Sequence, residues 1–367
     1  MPAASILIKP ASANCNMNCG YCFYQCVSRN REEYSKGFMR EETLEQLIIQ
    51  AMDYADDYLA FAFQGGEPTL MGLPFYQRVV ALQKKYNNKN CIIENTIQTN
   101  GLLINEEWAA FLSAHHFLVG LSLDGPKKMH DLYRKDSCGN GTFERVMHTI
   151  AIMKRYHVDY NILSVITNET AKNASYLYKF YKRNHFSYVQ LIPCMGERGN
   201  NTLAVDPYQY GTFLCRLFDL WYEDFCKGEQ MDIRMFSNLA QMAAGYPPEE
   251  CGMKGCCTCY FVVEGDGSVY PCDFFCLDEW KLGTVWNSFQ SMRDSKKAKE
   301  FVNTSYSVAA KCLACEYFPL CRGGCRIWRM SSEMGEEGLN YLCPAYKMFF
   351  AHTAKRIHYL GQYIMGL

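Results

Sequence analysis

The chain has 367 residues, 49 % of them hydrophobic, with 37 basic and 38 acidic side chains and a formal net charge of −1. That length supports one large domain or two ordinary ones, and the charge balance excludes recognition of nucleic acid by bulk electrostatics. No run approaches the roughly 18 apolar residues of a membrane span, and the start, MPAASILIKPAS, lacks the basic and apolar regions of a secretion signal, so no membrane partner and a cytoplasmic location are expected.

Strand-like and helix-like stretches alternate along the first half. Residues 5–9 (SILIK) predict a strand, followed by CNMNCGYCFY at 15–24. A helix at 43–55 leads to a strand at 59–63, which ends on GGEP. A helix at 74–86, with Pro74 suited to its first turn, precedes a strand at 91–99 ending on TNG. A helix at 105–116, with an Asn cap and an acidic first turn, precedes a strand at 117–125 ending on SLDG. Helices at 142–156 and 173–185 and strands at 158–167 and 188–193 continue the pattern. Six strand–helix units predict an α/β fold of parallel strands with crossover helices. Six is too few for a closed eight-fold barrel, so a partial (β/α)6 TIM-like barrel follows. Ligands bind beyond the carboxyl ends of such strands, where four polar or glycine-rich motifs converge. Further on, a long amphipathic helix spans 207–228, a strand is expected at 231–236 and a C-terminal helix at 345–364.

Twenty cysteines stand out, eleven of them from Cys251 to Cys343. In a reducing compartment such clustering reads as metal binding or redox chemistry. Cys15, Cys19 and Cys22 are one short of a closed tetrahedral zinc site. Three thiolates on an iron–sulfur cluster leave one iron open to a ligand, whereas zinc would need Cys26 or a distant His as its fourth ligand. From Cys251 onward glycine and cysteine rise and periodicity fades, as in a short segment stapled by metal.

The C-x3-C-x2-C spacing, with Tyr21 before the third cysteine and GGEP after the second strand, resembles the signature of the radical S-adenosylmethionine (AdoMet) enzymes. The resemblance implies a 4Fe–4S cluster on Cys15, Cys19 and Cys22 whose open iron binds AdoMet, with reductive cleavage to a 5′-deoxyadenosyl radical. It implies AdoMet contacts from Tyr21, Gly65, Gly66, Glu67, Ser122, Arg134 and Met195. On the residues alone, GGEP is equally a structural turn with Glu67 as its cap, and Met195 equally a core side chain. Downstream, Cys257 with Gly267 and Cys272, then C-x2-C-x5-C-x3-C over Cys312, Cys315, Cys321 and Cys325, then Cys343, resemble the SPASM extension of peptide-modifying members. That implies two fully ligated 4Fe–4S clusters, one on Cys251, Cys257, Cys272 and Cys325 and one on Cys312, Cys315, Cys321 and Cys343. Cys256 fits the spacing as well as Cys257. The implied domains are a radical AdoMet partial barrel over 1–236, a SPASM domain over 237–345 and a C-terminal helix over 346–367.

Taken with IKPAS, AFQGGEPTL, QTNG, LVGLSLDGP and YPCDF, these motifs resemble the anaerobic sulfatase-maturating enzymes from about residue 5 to residue 350. The resemblance implies oxidation of a cysteine or serine of a sulfatase precursor to Cα-formylglycine. In that scheme the deoxyadenosyl radical removes a Cβ hydrogen, Asp273 takes the thiol or hydroxyl proton and the auxiliary clusters take the electron. Asp273 is otherwise a turn aspartate bonded to its own backbone. Tyr24, Gln98 and Asp124 are expected to face the substrate, and an external one-electron donor such as a flavodoxin or ferredoxin is implied. Two other readings share parts of the pattern: a SPASM enzyme that forms thioether or C–C crosslinks, and a non-catalytic zinc-stapled binding protein.

Overall fold

The computed structural model describes residues 4–196, 203–229, 231–330 and 338–366. The strands among them are β1 (Ala4–Ile8), β2 (Tyr58–Phe63), β3 (Ile92–Thr99), β4 (Leu118–Ser122), β5 (Tyr160–Ile166), β6 (Tyr188–Pro193), β7 (Asp232–Ile233), β8 (Phe261–Val263), β9 (Ser268–Tyr270) and β10 (Gly283–Thr284). The chain divides into two compact units. The first holds Met1–Leu123, His130–Tyr160 and Thr258–Phe301; the second holds Asp124–Met129, Asn161–Cys257 and Val302–Leu367.

In the first unit β1 has parallel neighbours on both sides, with Ile6 in register with Phe61 of β2 and with Phe261 of β8. β2, β3 and β4 follow in parallel order, and β8, β9 and β10 add an antiparallel edge. Parallel neighbours require crossovers, supplied by helices Glu41–Tyr54, Leu73–Tyr86 and Glu106–Ala114. The last starts as its sequence predicts: Asn105 accepts from the Trp108 N–H at 3.0 Å, and Glu106 and Glu107 fill the first turn, where a carboxylate complements the helix dipole. Leu59, Phe61 and Phe63 of β2 are buried. The Phe63 ring meets Tyr76 edge-on at 5.3 Å, and Tyr76 meets Trp108 at 5.2 Å.

The second unit holds most of β5 with β6 and β7, again parallel. Helix Pro207–Cys226 begins on Asp206, which accepts from the Gln209 N–H at 2.9 Å. It packs on helix Cys343–Met365, which also packs on helix Arg234–Ala243. Phe218 lies 5.1 Å from Phe236, which stacks on Phe349 at 5.8 Å; burial of each such side chain contributes about 1.5–3 kcal/mol. The strand expected at 231–236 is only two residues long. Helix Arg234–Ala243 replaces its second half, because Met235, Phe236, Leu239, Ala240 and Met242 repeat at helical spacing and are all buried. Among the described residues no helix is long and apolar enough to cross a membrane.

Candidate active site

The carboxyl ends of β1 to β4 each run into one of the motifs singled out in the sequence. After β1 the chain turns twice, with Ser12 N–H bonding Lys9 C=O at 3.0 Å and Asn14 N–H bonding Ala11 C=O at 2.9 Å. The cysteine loop then runs to helix Phe23–Arg29, with Cys22 at its N-terminal boundary. Its far side is tied down by Asn18 N–H to Lys135 C=O at 2.8 Å and Gly20 N–H to Tyr133 C=O at 3.0 Å.

The GGEP turn is stitched to this loop. Glu67 N–H donates to Asn14 C=O at 2.8 Å. Gly66 has φ +50°, and a β-carbon there would fall 2.3 Å from the Asn14 carbonyl oxygen, so only glycine fits. The Glu67 carboxylate is buried and accepts from Thr69 N–H at 3.0 Å, Thr69 Oγ1 at 2.6 Å, Thr99 Oγ1 at 2.7 Å and Asn100 N–H at 2.8 Å. Those donors make Glu67 the cap of its turn and a brace to the end of β3. Asn100, which sequence reasoning passed over in QTNG, donates from Nδ2 to Asn16 Oδ1 at 2.8 Å and approaches Cys15 Sγ at 3.9 Å. Gln98 is half-buried on β3 opposite Gly120 of β4. Ser122 is buried at the end of β4. Arg134 is buried with its guanidinium 5.5 Å from the centre of the Tyr21 ring.

Asp273 follows Cys272 and is 6 % exposed. Its Oδ1 pairs with Lys9 Nζ at 2.7 Å. Its Oδ2 accepts from Tyr24 Oη at 2.8 Å and Gln64 Nε2 at 3.1 Å. The Asp273 N–H donates to Tyr260 Oη at 3.3 Å, and that hydroxyl lies 3.5 Å from Cys272 Sγ. Burial, then the Asp273 charge and hydrogen bond, raise Tyr24 well above the usual phenol range, so Tyr24 stays a donor. Lys9, Gln64 and Tyr260 escaped sequence reasoning; the IKPAS and FQGGEP motifs held the only signal for the first two.

The second unit carries Asp124, Met195 and the remaining cysteines of the SPASM pattern. Asp124 is buried and its Oδ1 accepts from Val165 N–H at 3.0 Å. Met195 is half-buried after β6, with its carbonyl 3.7 Å from Cys194 Sγ.

Sulfur chemistry gives the test for metal. Among the described residues no three His, Cys, Asp or Glu side chains converge closely enough to hold a single metal ion. One set of thiols instead surrounds a shared space. Cys312, Cys315, Cys321 and Cys343 line one cavity. Desolvation pushes the Cys321 thiol up to about 11 against the Gly323 N–H, and Cys343, Cys312 and Cys315 add to it. Desolvation likewise pushes Cys325 up to about 12 against the Ile327 N–H, with Cys251 and Cys257 adding. Cys256 instead faces the Tyr306 hydroxyl. At Cys15, desolvation comes first and Glu67 next, with Cys19 and Cys22 adding. Thiols crowded in this way ionise together only beside a strong positive centre, and soft thiolates suit iron–sulfur clusters. The donor set fits such groups.

The Radical SAM superfamily model matches residues 10–180. A cysteine-type anaerobic sulfatase-maturating enzyme of Clostridium perfringens (strain 13 / Type A) is 46% identical over 362 residues, which is 97% of this chain and 98% of that protein. The chain belongs to the anaerobic sulfatase-maturating enzymes. It is thus a radical SAM enzyme. A serine-type anaerobic sulfatase-maturating enzyme of Bacteroides thetaiotaomicron is 33% identical over 98% of this chain and 92% of its own length. A solved structure of anSMEcpe with bound AdoMet and Cp18Cys peptide superposes with a TM-score of 0.93 at 45% identity, covering 99% of this chain and 100% of that one. The partial-barrel α/β fold expected from the strand–helix alternation is therefore that of the sulfatase-maturating enzymes.

Proposed function

We propose that the chain oxidises a cysteine side chain of a sulfatase precursor to Cα-formylglycine, with AdoMet as co-substrate. The observation that carries this reading is the buried Asp273 carboxylate, ringed by Lys9, Tyr24 and Gln64 directly after Cys272. A carboxylate offers about four acceptor positions. Tyr24 and Gln64 take two of them on Oδ2, while Oδ1 is buried against the Lys9 ammonium with no hydrogen-bond partner, so the carboxylate keeps acceptor capacity for a substrate thiol proton.

Cys15, Cys19 and Cys22 hold the AdoMet-binding cluster, with Gly65, Gly66, Ser122, Arg134, Tyr21 and Met195 as AdoMet contacts. Glu67 holds the GGEP turn in shape for that ligand. The two auxiliary clusters sit on Cys251, Cys257, Cys272 and Cys325 and on Cys312, Cys315, Cys321 and Cys343, within a module over 237–345. When bound, these groups and AdoMet supply an oxidant that takes a hydrogen atom from Cβ and an acceptor for the electron left behind. Asp273 takes the thiol proton, and Tyr24 and Gln98 face the peptide, whereas Asp124 is buried against the Val165 N–H. One C–H and one S–H bond break and a C=S bond forms; water then replaces sulfur, which leaves as sulfide, to give the aldehyde.

Preference for cysteine follows the cysteine-type relatives, 46% and 42% identical, against 33% for the serine-type one. The reducing cytosol keeps such thiols available for clusters, and a flavodoxin or ferredoxin supplies the first electron. The test is mass spectrometry of paired sulfatase-motif peptides, with Cys or Ser at the modified position, incubated anaerobically with reconstituted, reduced enzyme and AdoMet. Exchange of CH2SH for CHO in the cysteine peptide is expected. An unchanged or crosslinked peptide, alongside deoxyadenosine release, rejects the reading.

A further inference from the structure

The residue after β1 is a lysine with 2 % of its surface exposed. Besides the 2.7 Å ion pair to Asp273, Lys9 Nζ lies 3.6 Å from Glu264 Oε1, donates to Cys276 Sγ at 3.4 Å and sits 4.7 Å from the centre of the Tyr24 ring. Burial opposes its charge, but Asp273, then Cys276 and Glu264, more than offset that, so its pKa stands above that of an ordinary lysine. An ammonium this deeply buried is expensive to keep.

Its stem crosses Gly65. A β-carbon at that position would fall 2.5 Å from Lys9 Cγ and 2.8 Å from Cδ, and φ there is +79°. The first glycine of GGEP is therefore bare on the side where Lys9 passes.

We infer that Lys9 is a positioning residue for the oxidation step: its ammonium pairs with Asp273 Oδ1 and holds the carboxylate still for the substrate thiol proton. This rests on the reading of Asp273 as the proton acceptor. Tyr24 and Gln64 bind only Oδ2 and leave the carboxylate free to twist about that end. Lys9 pairs with the other oxygen, and it is the one charged partner of the three. Losing it misplaces the proton acceptor, which lowers the aldehyde formed per AdoMet cleaved.

The test measures aldehyde formed per deoxyadenosine released, with kcat and peptide KM, in the reconstituted full-length enzyme. Lys9→Met is expected to lower that ratio about 10-fold or more, within the span of general-base effects, with little change in KM. Lys9→Arg, which keeps the charge, recovers part of it. A wild-type ratio in Lys9→Met overturns the inference, as does a change in KM alone. Asp273→Asn is measured in parallel. If it keeps the wild-type ratio, the underlying reading fails and the inference with it. If it loses the ratio while Lys9→Met keeps it, the inference alone fails. Should Lys9→Met not fold, the double variant Lys9→Met/Asp273→Asn leaves Arg31 and Glu264 as a balanced pair. Its ratio is expected to equal that of Asp273→Asn alone, and a further loss overturns the inference.

Discussion

Glu264→Gln probes the charge network beneath Asp273. Glu264 is fully buried, with Oε1 2.7 Å from Arg31 Nη1 and 3.6 Å from Lys9 Nζ, and Oε2 accepting from Ser12 Oγ at 2.7 Å. Lys9 and Arg31 are balanced by Glu264 and Asp273. The amide keeps the shape but leaves two cations facing one carboxylate, and breaking a buried pair in this way costs about 3–5 kcal/mol. Against a total of about 5–15 kcal/mol, the urea midpoint should fall by about 1 M. The pH dependence follows from the direction of the shift. Burial alone would raise the Glu264 pKa, but Lys9, Arg31 and Ser12 outweigh it and the carboxyl lies below its ordinary 4.5. A lowered folded-state pKa contributes stability that is present above the unfolded value and lost as pH falls through the folded one. Wild type and Glu264→Gln should therefore differ most near neutral pH and converge below 4.5. Urea unfolding followed by near-ultraviolet circular dichroism across that range is the assay. Equal midpoints at neutral pH, or a gap that widens in acid, refute the reasoning.

Three further outcomes are expected. On the proposed ligand set, in which eight auxiliary thiolates serve two clusters, Cys257→Ser should remove about four of about twelve irons per chain, whereas Cys256→Ser, whose thiol faces the Tyr306 hydroxyl, should leave the iron content unchanged; elemental analysis decides. Cys312→Ala should likewise remove about four irons and change the visible spectrum, while deoxyadenosine formation persists. Gly66→Ala forces φ +50° on a residue with a β-carbon aimed at the Asn14 carbonyl, so a loss of at least about 2 kcal/mol and poor loading of the Cys15–Cys19–Cys22 cluster should appear together in unfolding and iron assays.

The rim of the first unit was legible because each of its motifs sits directly after a strand, and strand–helix periodicity is local. The partners of Asp273 were not: Tyr24 and Gln64 lie 249 and 209 residues away in sequence, and nothing local encodes that meeting. The parallel pairing of β8 with β1, which brings Asp273 to Lys9, is equally long-range. Glu67 shows the opposite limit. A carboxylate in GGEP reads from sequence as ligand or cap, and only the four donors around it make it a cap. Doubled cysteines posed the same problem at 256 and 257, where spacing is degenerate and the neighbours of each thiol differ. The short β7 misled because MDIRMF alternates like a strand until Arg234, where the buried positions change to helical spacing.

The most direct measurement uses a sulfatase-motif peptide deuterated at Cβ of the target cysteine, incubated with reduced enzyme and AdoMet. Deuterium should appear in deoxyadenosine while the peptide gains an aldehyde. Aldehyde without deuterium transfer, or deuterated deoxyadenosine without aldehyde, contradicts hydrogen abstraction coupled to oxidation at that carbon.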